Sequence, residues 1–139
     1  MDINKARKWL LCTWLIGSLV PFVVIVAQTF ADRYAGNAEN AWSWLLPSVM
    51  PTLGLMTAVT LAAPSHEGRA PTFPFRLAFS ASLIYLVLLA ATLLAQPFSS
   101  LSQFELFRLS HLWLAPVQAF ADAAIGAVFL SCHLARSSD

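Results

Sequence analysis

Charge is scarce in this chain: Asp, Glu, Lys and Arg make up 11% of its 139 residues, against about 25% in an ordinary soluble domain. That deficit excludes a water-solvated globule of this length. The net charge is only +1, and the basic residues are scattered along the flanks of apolar runs, so a nucleic-acid footprint is excluded as well. Cysteine is limited to Cys12 and Cys132, which excludes a disulfide framework and leaves no thiols in the expected outer loops for disulfide chemistry. The sequence has no phosphate-cradling Gly-rich loop, no zinc-protease motif and no nucleophile elbow. Neither an enzyme nor a bound cofactor is expected.

Hydrophobic residues, by contrast, make up 58% of the chain. They concentrate in four runs, Trp9 to Thr29, Trp42 to Ala63, Leu77 to Gln96 and His111 to Cys132. Each reaches the ~20 residues that cross about 30 Å of hydrocarbon at 1.5 Å per residue. Lipid does not tolerate unpaired backbone groups, so each run is expected to be helical. The sequence therefore predicts an all-α integral membrane protein, one domain over residues 1–139, with helices near 9–29, 42–63, 77–96 and 103–133. The first run is longer than the 7–15-residue core of a secretory signal, which favours an uncleaved first helix.

Lys5, Arg7, Lys8, Arg69, Arg76 and Arg136 fall on one side of this topology, and Arg33 and Arg108 on the other. By the positive-inside rule both termini are expected in the cytoplasm, in a bacterial inner (plasma) membrane. Aromatic residues at Phe30, Tyr34, Trp42, Trp44, Phe104, Phe107 and Trp113 would mark the outer boundary, with Trp9, Phe73 and Phe75 at the inner one. The outer loop 30–41 reads as a solvated connector. The segment Pro64 to Pro74 reads as a stiff cytoplasmic crossing. Ser102 and Glu105 fit a capping box, so helix four is expected to begin there, in the outer headgroup zone.

Small residues and prolines mark the expected helix contacts. Helix one carries Gly17 and Pro21, and helix two carries Pro47, Pro51, Gly54, Ala58 and Ala62 on roughly one face. The prolines predict kinks, and the small-residue run predicts a close helix contact, within the chain or between copies. Ser80, Ser82, Tyr85, Thr92 and Gln96 of helix three are expected to bond across helices.

Asp122 is the only acidic residue inside the four apolar runs. An ionisable group there costs roughly 2.5–3.5 kcal/mol on insertion scales, so it ordinarily faces a partner, a cavity or a function. Positions eleven apart nearly superimpose on a helix, so His111, Asp122 and His133 share a face, with Gln118 one turn from Asp122. The histidines lie too far apart along the axis to share a metal, and the absence of histidine from helices one to three argues against an in-chain bis-His haem. Two readings of the stripe stand. In one, Asp122 repeats around a homo-oligomer and lines a pore or ion path along helix four. In the other, it bonds to Gln28, Tyr85, Thr92 or Gln96 and only fixes helix register.

Small multidrug-resistance transporters resemble this chain in length and helix count, but they carry their acidic residue in helix one, where this chain has none. Lipoprotein signal peptidases are similar in helix count but need an aspartate pair, and here only Asp122 is embedded. The expected function is a small oligomeric membrane protein with an ion path along helix four. The alternatives are a non-transporting scaffold that recruits a cytoplasmic protein partner, and a small secondary transporter with a proline-broken helix two.

Overall fold

The computed structural model describes residues 3–62, 72–95 and 102–134, which form α1 (Ile3–Phe30), α2 (Ala38–Ala62), α3 (Thr72–Leu94) and α4 (Gln103–Leu134). Gln96, residues 64–71 and Arg136 lie outside the described residues, as do the side chains of Ala62, Cys132 and His133. All four helices are long and apolar enough to span a membrane. Their outward faces are apolar too: Leu15, Ile16, Leu19, Leu83, Ile84 and Val87 are all exposed. A helix apolar all round suits lipid rather than water.

Local chemistry sets the helix ends. The first helix begins at Ile3, before the apolar run at Trp9, because Lys5, Arg7 and Lys8 are good helix formers. Charge ends an apolar run without ending a helix. The chain then turns at residues 31–36, where Asp32 (φ 50°), Ala35 (φ 46°) and Gly36 (φ 80°) are left-handed. Gly36 adopts that conformation without a Cβ penalty. Tyr34, in the middle of the turn, is buried, and its hydroxyl donates to Gln28 Oε1 at 2.5 Å. Gln103 Nε2 donates to the same oxygen at 3.1 Å, so one amide ties α1, the turn and the start of α4. At α4, the Glu105 N–H donates to Ser102 Oγ at 3.3 Å, and the Ser102 N–H donates to Glu105 Oε2 at 3.4 Å. This reciprocal pair satisfies backbone donors that the helix start would otherwise leave orphaned.

The helices pair as two antiparallel hairpins, α1 with α2 and α3 with α4, and the two hairpins pack α1 on α3 and α2 on α4. A tryptophan of the first hairpin rivets each of these cross-hairpin pairs. Trp14 Nε1 donates to Ser82 Oγ at 2.9 Å, with its ring stacked on Tyr85 at 5.5 Å. Trp44 Nε1 donates to Ser110 Oγ at 2.8 Å, with its ring stacked on Phe107 at 4.4 Å. Both indoles are buried, so their N–H groups need these partners. Trp14, Met56, Tyr85, Leu89, Leu114 and Ile125 fill the centre of the bundle and are fully buried.

Candidate functional site

The α2–α4 pair is where the polar residues gather. Bonds at Trp44 to Ser110, Gln118 to Ser48 and Thr52 to Asp122 climb both helices together, so α2 and α4 run parallel. This seam is less extensive than the α3–α4 contact.

Serine and threonine hydroxyls in these helices mostly bond back to their own backbone. Thr13, Ser18, Thr29, Ser48, Thr60 and Thr92 each donate to the carbonyl four residues earlier, the usual way a hydroxyl is satisfied in a helix. Thr52 departs from this pattern. The carbonyl four residues before it is Ser48 O, which already accepts from Tyr85 Oη at 2.7 Å and Gln118 Nε2 at 3.3 Å. A helical carbonyl also ordinarily accepts the N–H four residues on, so with two side-chain donors its two lone pairs leave no room for a further hydroxyl. Thr52 Oγ1 donates instead to Asp122 Oδ1 at 2.7 Å. Tyr85 also lies 3.2 Å from Gln118 Oε1, which closes a network around Ser48.

Asp122 is thus bonded inside its own bundle, and among the described residues its partner is Thr52, not Gln28, Tyr85 or Thr92; Gln96 lies outside the described residues. Gln28 serves the knot at Tyr34, and Thr92 bonds back to Leu88 O at 2.8 Å. The carboxylate is half-buried, and its Oδ2 accepts no hydrogen bond among the described residues. Gln118 is half-buried beside it, whereas His111 is exposed a few turns toward the start of α4. His133 lies on the α4 backbone beyond the described side chains. Among the described residues no group of three or more His, Cys, Asp or Glu side chains could hold a metal.

Small residues flank the carboxylate on the outward side. Pro47, Pro51, Gly54 and Ala58 of α2 are exposed, as are Ala115 and Ala119 of α4. A Cβ added at Gly54 or Gly126 would meet nothing within 4 Å. The Gly54 and Ala58 run is therefore not a helix contact inside the chain. Gly17 is: a Cβ there would stand 2.5 Å from Leu86 Cδ1, so its lack of a side chain lets α1 lie close on α3. Pro21 is buried within α1.

Ser48 and Thr52 escaped the sequence reading, although a signal was present. Each directly follows a proline, in Pro47-Ser48 and Pro51-Thr52, four residues apart. That spacing puts two polar groups one above the other, next to the turns where proline withholds backbone donors. Comparison with known proteins returns no matching family model, no matching curated protein and no matching solved structure, so the chemistry of the α2–α4 seam is the ground on which function is argued.

Proposed function

We propose that this chain is a small membrane protein that assembles with copies of itself and conducts cations along the outward side of the α2–α4 seam. Asp122 is the charged group of that path. The observation that carries the reading is the half-buried Asp122 carboxylate, held at one oxygen by Thr52 and with no bond at the other among the described residues, within a border of small residues. Magnitudes favour function over register. An interhelical hydrogen bond in a membrane protein contributes about 0.6 kcal/mol, whereas inserting the acid costs roughly 2.5–3.5 kcal/mol. Thr52 alone does not offset Asp122.

The packed centre of the bundle supports a path between protomers rather than through one. Exposed Gly54, Ala58, Ala115 and Ala119 would let a neighbouring helix approach closely there. A ring of carboxylates contributed by several copies would favour cations, as acidic rings do in cation channels. On this reading both termini face the cytoplasm of a bacterial inner membrane, as the Lys and Arg distribution suggests. Pro47 and Pro51 would then bend α2 beside the path.

Planar-bilayer recording on the reconstituted chain tests this directly. Wild type should pass cation-selective current, and Asp122→Asn and Asp122→Ala should both lose the selectivity. Absence of any current from wild type, or identical selectivity in all three proteins, refutes the reading.

A further inference from the structure

At the end of the bundle where α2 and α4 begin, the seam opens into a cavity of about 320 Å³ lined by Asn40, Ser43, Trp44, Phe104, Phe107, Arg108 and His111. Its aromatic floor and polar rim have separate chemistry. Trp44 and Phe107 are buried and stacked on each other, and the Trp44 N–H is committed to Ser110. The floor therefore offers shape and no donor. On the rim, Asn40, Ser43, Arg108 and His111 are all exposed. The Ser43 hydroxyl is turned to Asn40 O at 3.0 Å, so the donors left to a ligand are the Arg108 guanidinium, the His111 ring and the Asn40 amide.

The sign of the site is consistent. Among the described residues no acidic side chain lines it. Glu105, one turn before Arg108, is engaged with Ser102 in the helix cap, and Arg108 makes no ion pair among the described residues. Both parallel helices point their N-terminal ends, Ala38 and Gln103, toward this end of the bundle, which adds positive potential. A planar guanidinium with further N–H donors over an aromatic floor suits a phosphate.

We propose that this cavity is a phosphate site, with Arg108 as the principal ligand and His111 and Asn40 completing it. The phosphate comes from the headgroup of an anionic lipid or from free phosphate in the adjoining water. Conduction is a separate matter, because Asp122 lies about 21 Å further along the α4 axis at 1.5 Å per residue.

Native mass spectrometry on the full chain in neutral detergent distinguishes the sources. The probes are phosphatidylglycerol, the diacylglycerol with the same acyl chains, and inorganic phosphate. Wild type should retain phosphatidylglycerol over the diacylglycerol by about tenfold, the scale of one charge-assisted contact, or bind inorganic phosphate directly. Arg108→Gln should abolish whichever binding is found, and Arg33→Gln, exposed on the 31–36 turn and not among the residues that line the cavity, should leave it intact. Phosphatidylglycerol retention that inorganic phosphate cannot displace assigns the site to lipid; displacement, or binding of phosphate alone, assigns it to the free anion. The proposal is overturned if wild type shows no preference and no phosphate binding, if Arg108→Gln behaves as wild type, or if Arg33→Gln loses as much as Arg108→Gln.

Discussion

The two flanks of α2 lie at the same depth, on the same helix, and differ in nearly every side chain. Toward α1 the helix borders a groove of about 180 Å³ lined by leucines, Phe22, Val49 and Met50. Its one hydroxyl, on Ser18, is turned back to Trp14 O. Toward α4 the same helix presents Ser48 and Thr52 to Gln118 and Asp122, and opens at its N-terminal end onto Arg108 and His111. The apolar flank proves that this fold can close a seam without polar groups. Polar residues on the other flank are the ground of the proposed function, and Trp44 and Ser110 among them also hold α2 against α4.

Making the polar seam resemble the apolar one is the strongest challenge to this contrast. The double variant Thr52→Val with Asp122→Leu should fold with unchanged or higher thermal stability in detergent, because replacing a buried polar pair by apolar residues is often neutral or stabilising. Its cation current in planar bilayers should vanish. A variant that fails to fold would show that the pair is structural and would dissolve the contrast.

Trp44→Ala comes next in size. It removes a buried ring stacked on Phe107 and orphans the contact to Ser110, at a cost of about 3–5 kcal/mol, read as a lowered unfolding midpoint. On the opposite flank, Leu45→Ala should cost about 2–5 kcal/mol by opening a cavity beside the α1 groove. Its current should keep wild-type cation selectivity. Altered selectivity in Leu45→Ala would mean that the two flanks are not functionally distinct.

The smallest effect is at the turn that joins the flanks. Burial raises the Tyr34 pKa above its ordinary 10.0, while the neighbouring Gln103 amide works against that shift. The neutral phenol is thus favoured in the fold, and its contribution is complete below pH ~10 and lost as pH rises through the raised value. Tyr34→Phe should be less stable than wild type by about 1 kcal/mol near neutrality. That gap should narrow in unfolding scans taken above pH ~10.

Much of the architecture was legible because a helix in lipid must be a long apolar run. The run from Trp42 sits within α2, although the helix begins earlier, at Ala38, because polar Glu39 and Asn40 continue it. The capping pair Ser102 and Glu105 was legible because its geometry is local. Helical arithmetic also found Gln118 and Asp122 on one stripe. It could not find Thr52, because that partnership depends on which carbonyls Tyr85 and Gln118 have already taken. Nor could it tell that Gly54 faces outward while Gly17 is packed against Leu86, since both are small residues in apolar helices.

What the sequence determined by itself is the number of helices able to span a membrane, the scarcity of chemistry within them and the one acid among their apolar residues. These follow from composition and from a 3.6-residue period, which need no knowledge of neighbours. The tertiary structure alone decided that α2 lies parallel to α4, that the centre is filled, and that Asp122 meets Thr52 at a half-buried edge. Those outcomes depend on which helix faces which, and apolar helices of similar length carry almost no information about that until their side chains interlock.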